Sequence, residues 1–371
     1  MRQTLLILMV IFFSLHRIYA ADISTLAIGS KAPDFKLKGV DGKKYSLSKF
    51  KKAEILMIVF TCNHCPTAQA YEDRLIKMST EYKKKVQIVA ISPNDPRSLR
   101  FDELGYSDLN DSYEDMKLRD EKKQFPFPYL YDGDSQQTSM KYGPIATPHV
   151  FIFDKNRILK YQGRIDDVEN PNKKPNHTDV RNALDQLLSG KEILVQTTKV
   201  FGCSIKWASK SNWLNEYKNK WAEEEVTINT ISENDLKHLM HNHGDKLRVV
   251  NVWATWCGPC VAEFPDLVTI NRMYRGRDFE MITISADHID DKKKAYNFLK
   301  KQQSSTTNYI FDGNDKYKLI EAVDPKWQGG LPYTIIIEPG GKIIYSHQGM
   351  VDPYQLKSTI VDSPLIGRFY K

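Results

Sequence analysis

The chain has 371 residues, room for two domains of ordinary size, and its 41% hydrophobic and 27% charged content excludes a disordered or fibrous protein. A net charge of +7 dispersed along the chain, with no aromatic-basic module, excludes nucleic acid as a partner. Five cysteines are too few for a scattered disulfide framework, and four of them form two C-x-x-C pairs, which points to thiol chemistry.

Met1-Arg2, the apolar run Leu5 to Leu15 and the small residue Ala20 predict a secretory signal peptide over 1–20, cut after Ala20. An uncleaved anchor is the alternative. Loss of Arg2 and Arg17 with the leader lowers the formal charge from +7 to +5. No Cys follows the apolar run, so a lipid anchor is not expected, and no later stretch reaches membrane-span length. The expected destination is therefore export, to the periplasm in a Gram-negative cell, with no integral membrane segment after cleavage.

A first module is expected over 26–207. Asp41-Gly42 marks a hairpin turn, and Ile55 to Phe60 is an apolar strand that runs into Thr61-Cys62-Asn63-His64-Cys65-Pro66. Tyr71 to Tyr82 has helical periodicity and Val86 to Ile91 reads as a buried strand. A polar excursion from Asn94 to Lys123 separates these from the strand Tyr129 to Tyr131. Ala146-Thr147-Pro148, the strand His149 to Phe153 and the strand Ile158 to Gln162 complete the pattern.

Residues 208–225 predict a linking helix, with Trp213, Tyr217 and Trp221 at helical spacing as a packing stripe. The second module, 226–371, repeats the order of the first. It runs from a strand at Val226 to Thr230 and a helix at Asn234 to Met240 into the β-branched run ending Trp253-Ala254-Thr255-Trp256-Cys257-Gly258-Pro259-Cys260. Strands follow at Met281 to Ser285, Tyr309 to Phe311, Thr334 to Glu338 and Lys342 to Ser346, with a helix at Lys292 to Lys301. His238, His241 and His243 cluster where the first helix ends. Without an adjacent acidic or thiol ligand they are not assigned a metal.

A strand that ends in C-x-x-C and continues into a helix sets the first thiol at a helix N-terminus, where unpaired N–H groups and the helix dipole favour the thiolate. Pro259 suits the first turn, since its missing N–H has no partner to lose. Cys257 is the expected attacking thiol and Cys260 the resolving one. A zinc half-site is the alternative for such a pair, but no second ligand pair lies nearby.

Trp253-Ala254-Thr255-Trp256-Cys257-Gly258-Pro259-Cys260 with Glu263-Phe264-Pro265 resembles the TlpA/ResA branch of the thioredoxin superfamily, exported thiol-disulfide oxidoreductases. The resemblance covers about the last 145 residues and implies three roles. Trp256 flanks the thiol, Leu331-Pro332 is the cis-proline loop beside it, and Glu263 is the acidic partner. Asn251 stands where cytoplasmic thioredoxins carry a buried Asp, so Glu263 becomes the substitute proton acceptor.

Phe60 to Pro66, Gly163-Arg164-Ile165-Asp166-Asp167 and Gly202-Cys203-Ser204-Ile205-Lys206-Trp207 resemble the peroxiredoxin-like redoxin family, related to alkyl hydroperoxide reductase and the thiol-specific antioxidants. If Cys65 held the peroxidatic position of that family, Ile58 and Cys62 would replace its Pro and Thr. This departure favours a dithiol exchanger at Cys62 and Cys65, with Pro148 in the X-Pro loop. His64 has two readings: it stabilises the Cys62 thiolate, or it is a solvated helix-end residue without redox effect. Cys203 has three readings: an inert buried thiol, a resolving or relay thiol for Cys62, or an intermolecular disulfide.

Together the resemblances imply an α/β protein of two tandem thioredoxin-like folds, each a central mixed β-sheet flanked by helices. The implied activity is thiol-disulfide exchange, without cofactor or metal, on protein disulfides with an upstream thiol reductant. A thiol peroxidase and a non-enzymatic metal or haem-protein assembly factor are the alternatives. If the Gly-Pro site were thioredoxin-like and the His64 site isomerase-like, a gap of about 90 mV, roughly 4 kcal/mol, would drive electrons from the second pair to the first, provided the sites meet.

Overall fold

The structure, a computed structural model, describes residues 23–210 and 212–367. The predicted signal segment lies outside the described residues, and so does the Trp213 side chain.

The first module holds β1 (Lys36–Gly39), β2 (Lys44–Ser46), β3 (Ile55–Phe60), α1 (Pro66–Tyr82), β4 (Val86–Ser92), α2 (Tyr113–Lys123), β5 (Tyr129–Tyr131), α3 (Gln137–Tyr142), β6 (Ala146–Thr147), β7 (His149–Phe153), β8 (Leu159–Gly163), α4 (Asp179–Leu188) and β9 (Cys203–Ser204). Its seven-stranded sheet has the order β2-β1-β5-β4-β3-β7-β8. All six residues of β3 are buried, because its two sheet neighbours flank it and separate apolar clusters cover its faces. One cluster takes Ile55, Met57 and Val59 with Tyr71 and Leu75 of α1; the other takes Leu56, Ile58 and Phe60 with Phe151 and Tyr142. The period of two along the strand thus divides its side chains between the two layers.

α5 (Asn212–Ala222) joins the modules. The second module follows with β10 (Asn229–Ile231), α6 (Glu233–Met240), β11 (Leu247–Trp253), α7 (Gly258–Tyr274), β12 (Phe279–Ser285), α8 (Lys292–Lys301), β13 (Thr307–Phe311), α9 (Lys316–Val323), β14 (Tyr333–Ile337), β15 (Ile343–Gln348) and α10 (Pro353–Asp362). Its six strands lie in the order β10-β13-β12-β11-β14-β15. The strand predicted from Val226 begins only at Asn229: Ile228 and Val226 pack beside Trp253 and Cys260 instead of joining the ladder.

The two sheets share one local plan. A central strand pairs parallel with the strand that follows its C-x-x-C helix and antiparallel with the strand that follows its X-Pro loop. Both X-Pro bonds, Thr147-Pro148 and Leu331-Pro332, are cis. This plan carries each C-x-x-C loop to the end of its central strand, next to its proline.

The excursion expected to be polar is partly apolar in use. Leu99 and Leu104 enter the core of the second module with Leu267, Ile270, Met273 and Tyr274. Phe101 stacks on Trp221 of α5 with centroids 5.1 Å apart, and the Arg272 guanidinium of α7 lies over the Trp221 ring at 4.6 Å. The linking helix therefore packs on both modules. No helix among the described residues is long and apolar enough to cross a membrane.

Candidate functional site

In the second module, Cys257 is the N-cap of α7 and Pro259 lies in the first helical turn. Cys257 and Cys260 are joined by a disulfide with Sγ atoms 2.05 Å apart. The Cys260 N–H donates to Cys257 Sγ at 3.3 Å, the contact through which the helix end would hold a thiolate. Cys260 is fully buried, whereas Trp256, one residue before Cys257, is 58% exposed with the Lys316 ammonium 4.8 Å from its ring. A buried carboxylate fixes the loop: Asp287, just after β12, accepts from the Thr255 hydroxyl at 2.7 Å and from the Thr255 N–H at 3.0 Å.

Glu263 lies one turn beyond Cys260 and is buried. It accepts from the Asn251 amide at 3.0 Å and from the Val351 N–H at 2.9 Å. Burial raises its pKa above the ordinary carboxylate value, against the pull of these two hydrogen bonds. The structure thus brings Asn251 and Glu263 together, and Asn251 bridges on to Thr334 in β14 at 2.9 Å. Pro332, two residues before Thr334, ends the loop at the head of that strand.

The first module sets its thiols differently. Here the second cysteine, Cys65, is the N-cap, with Pro66 opening α1, and Cys62 lies in the loop before it. Both are buried free thiols. Thr147, the residue before cis Pro148, meets both: its hydroxyl is 3.1 Å from Cys62 Sγ, and its carbonyl accepts from the Cys65 thiol at 3.3 Å. Cys203 of β9, directly opposite Thr147 in the short β6–β9 ladder, donates its N–H to Cys65 Sγ at 3.4 Å.

His64 is buried, not a solvated helix-end residue, and its polar partner is Asp111. Its Nδ1 lies 2.6 Å from the Asp111 carboxylate, with both side chains buried. Burial opposes the imidazolium, but the Asp111 charge overrides it and raises the His64 pKa; Asp111 is correspondingly lowered, despite burial, by the charge and hydrogen bonds of His64. Burial, the hydrogen bond to Cys65 and the nearby Asp111 charge push the Cys62 thiol well up. Cys65 goes the other way. Burial opposes its ionisation, yet hydrogen bonds from Cys203 and Cys62, the His64 charge and the Ala68 N–H bring it well below the ordinary thiol range. The Ala68 N–H is the helix's share of this, because the helix begins three residues later in this motif than in the second module's and makes Cys65 the N-cap.

Residues 28–162 match the AhpC/TSA family and residues 224–360 match the Redoxin family. The chain thus carries an AhpC/TSA-family domain and a Redoxin-family domain in tandem, and its curated relatives are thiol-disulfide oxidoreductases. It is 26% identical over 147 residues to thiol-disulfide oxidoreductase ResA of Oceanobacillus iheyensis, covering 40% of this chain and 69% of that protein. It is 30% identical over 105 residues to thiol:disulfide interchange protein DsbE of Escherichia coli K12, covering 28% of this chain and 51% of that protein. The chain thus spans about half the length of the DsbE it matches. Among solved structures, an uncharacterized conserved protein from Geobacillus kaustophilus is 36% identical, with 49% of this chain and 92% of that chain covered and a TM-score of 0.44.

Within this AhpC/TSA–redoxin tandem, the Gly163-to-Asp167 motif is a brace: Asp166 receives the Tyr71 hydroxyl at 2.8 Å and Arg74 at 2.9 Å, which anchors α1 behind the thiols. Sequence reasoning missed Asp111, Thr147 and Asp287. Asp287 had a local signal, a Ser-Ala-Asp run at a strand end; Asp111 had none, because it lies 47 residues from His64. Cys62, His64 and Asp111 bring thiol, imidazole and carboxylate atoms within 4.8 Å of one another, a ligand set the sequence did not suggest. Asp111 is already engaged there by the Asn63 N–H at 2.8 Å, the His64 N–H at 3.0 Å and the Asn94 amide at 2.7 Å, so the carboxylate has a structural use without an ion. His238, His241 and His243 lie ring to ring, with centroids 4.7 Å and 5.7 Å apart.

Proposed function

We propose that the chain is an exported thiol-disulfide oxidoreductase that works by dithiol/disulfide exchange at two C-x-x-C sites and reduces disulfides of exported proteins. The observation that carries this reading is the Cys257–Cys260 disulfide at a helix N-terminus beside exposed Trp256. In the reduced site, the Cys257 thiolate attacks a substrate sulfur and expels the other as thiolate. Cys260 then gives up its proton, with Glu263 as acceptor, and attacks Cys257, so the substrate leaves as a dithiol and the chain holds the disulfide. An upstream thiol reductant restores it. Trp256 offers an apolar landing surface, Pro259 shapes the first turn, and the Pro332 loop, like the Pro148 loop, presents backbone to the substrate. Cys62 and Cys65 form the second exchanging pair, and domain bounds of 26–207 and 226–371 fit this division. Export rests on the leader pattern of residues 1–20, and the exchange itself uses thiols alone.

Insulin reduction by dithiothreitol, followed by turbidity, tests the reading. The full chain is expected to accelerate it, and Cys257→Ser to abolish the acceleration; a Cys257→Ser protein as active as the parent overturns the assignment.

The lowered pKa of the Cys65 thiol supports a second reading, a thiol peroxidase, since a thiolate is what a hydroperoxide requires. Hydrogen peroxide consumption that is lost in Cys65→Ser and kept in Cys62→Ser would favour it.

A further inference from the structure

The first domain covers its thiols more fully than the second: Cys62 is 2% exposed and Cys65 fully buried, against 6% for Cys257, which lies between exposed Trp256 and Gly258. In the first pair neither sulfur is offered directly to a protein disulfide or to an external thiol. What covers them is the chain itself. β9 pairs antiparallel with β6, Thr147 opposite Cys203 and Ala146 opposite Ser204, on the residues that lead into cis Pro148. A partner strand added to this loop would need that position.

The approach is close and depends on glycine. Gly202 has φ +132°, and a Cβ there would lie 2.1 Å from the Thr147 carbonyl oxygen. The crossing delivers Cys203 to the dithiol: its N–H bonds to Cys65 Sγ at 3.4 Å, and its side chain packs in one cluster with Cys62, Cys65 and Ala68. Cys203 is also half-exposed, between exposed Gly202 and Ser204.

We propose that Cys203 is the third redox thiol of the first domain, the sulfur through which external thiols reach the buried pair, with Cys65 as the central sulfur that bonds either to Cys62 or to Cys203. This rests on the dithiol-exchange reading of that domain. In the oxidised site the Cys203 thiolate attacks Cys65 Sγ; the Cys203–Cys65 bond forms, the Cys62–Cys65 bond breaks, and Cys62 leaves as thiolate and takes up the proton lost by Cys203. No net electron is gained or lost. An external dithiol then supplies two electrons. One of its thiolates attacks half-exposed Cys203, Cys65 leaves, and the second thiol of the reductant closes its own disulfide and releases Cys203. Cys65 is suited to leave in this second step, because the surroundings that favour its thiolate make it the best leaving group of the three.

The test uses the full chain with Cys257→Ser and Cys260→Ser, so that only three thiols remain. After oxidation with diamide, peptide mass mapping is expected to find both Cys62–Cys65 and Cys65–Cys203 linkages. Reduction by dithiothreitol is expected to slow at least tenfold on adding Cys203→Ala, and glutathione is expected to form its mixed disulfide at Cys203. Equal reduction rates with and without Cys203, or glutathione found on Cys62 or Cys65, overturn the proposal while leaving dithiol exchange intact. A Cys62/Cys65 pair that never oxidises in either protein overturns the exchange reading as well. Should Cys203→Ala fail to fold, the linkage map and the glutathione adduct of the parent decide alone.

Discussion

The Tyr274 hydroxyl, at the last residue of α7, donates to the Ser107 carbonyl at 2.7 Å. Ser107 in turn reaches the Asn63 carbonyl through its own hydroxyl at 3.4 Å, so the far end of the second domain's C-x-x-C helix is tied to the first domain's C-x-x-C loop. Cys260 lies at the other end of α7, about 20 Å along an axis that rises about 1.5 Å per residue. Disulfide exchange needs sulfur on sulfur, and the short contacts from Tyr274 to Asn63 recover only part of that span.

Electron transfer between the two pairs is therefore expected to be intermolecular in this arrangement. When protein carrying a reduced Cys257/Cys260 pair and an oxidised Cys62/Cys65 pair is diluted, the equilibration rate should fall in proportion to concentration. A first-order rate independent of concentration would show that the domains reorient to bring the pairs together.

The domain contact itself should be measurable. Tyr274→Phe leaves the Ser107 carbonyl buried without its donor, a loss of about 1–3 kcal/mol. The Arg277 guanidinium, which donates to the Gly105 carbonyl at 2.7 Å, continues to hold the same loop. Urea unfolding of Tyr274→Phe should show an earlier transition, with insulin reduction per folded molecule unchanged; an unmoved transition would mean that the contact contributes nothing.

The His64–Asp111 pair gives the first domain a pH window. His64 has its folded pKa raised above the ordinary 6.5, so its share of stability is complete below pH 6.5 and lost as pH rises through the folded value. Asp111 is lowered below 3.8, so its share is complete above pH 3.8 and lost as pH falls through the folded value. The pair contributes most between those two ordinary values. Asp111→Asn leaves a buried imidazole without its counter-charge and should cost about 3–5 kcal/mol. A thermal melt series from pH 4 to pH 9 should show a smaller pH dependence above pH 6.5 in the variant; a parallel pair of curves would count against the ion pair.

Which sulfur ionises first in the first domain is open to a direct titration. In protein carrying Cys257→Ser and Cys260→Ser, ultraviolet absorbance of thiolate at pH 7 should persist in Cys62→Ser and vanish in Cys65→Ser. The reverse pattern would restore the sequence-based assignment of the thiolate to Cys62.

Glu263 should trade stability for chemistry. Its folded pKa lies above the ordinary 4.5, so the native state holds a proton that the unfolded chain releases, and stability falls as pH rises through the folded value. Glu263→Gln removes that slope and should raise the second domain's melting temperature at pH 8 relative to the parent, while slowing thiol release at Cys260. Unchanged kinetics with raised stability would leave Glu263 without a role in proton transfer.

The sequence by itself determined what is local. Six apolar residues from Ile55 to Phe60 and the β-branched run before Trp253 can only be buried central strands, and a C-x-x-C pair followed by helical periodicity sets thiols at a helix start. The shift at the first site had a signal that went unread: Pro66 directly after Cys65 marks the first helical position, where a missing N–H costs nothing. Several helices passed unread although their periodicity was present: Val180, Ala183 and Leu184 of α4 have helical spacing and lie in the core, yet polar residues surround them. Leu99 and Leu104 were equally misleading, because an apolar residue in a polar stretch shows its use only when another domain covers it.

Tertiary structure alone decided the rest. Asp111 meets His64, Cys203 faces Thr147 and Tyr274 meets Ser107 across separations of 47 residues or more, beyond any periodicity a chain can display. The lowered pKa of Cys65 depends on such contacts, because a buried thiol is eased toward thiolate only where donors and an opposite charge converge, and Cys203 and the Asp111 that charges His64 come from distant parts of the chain.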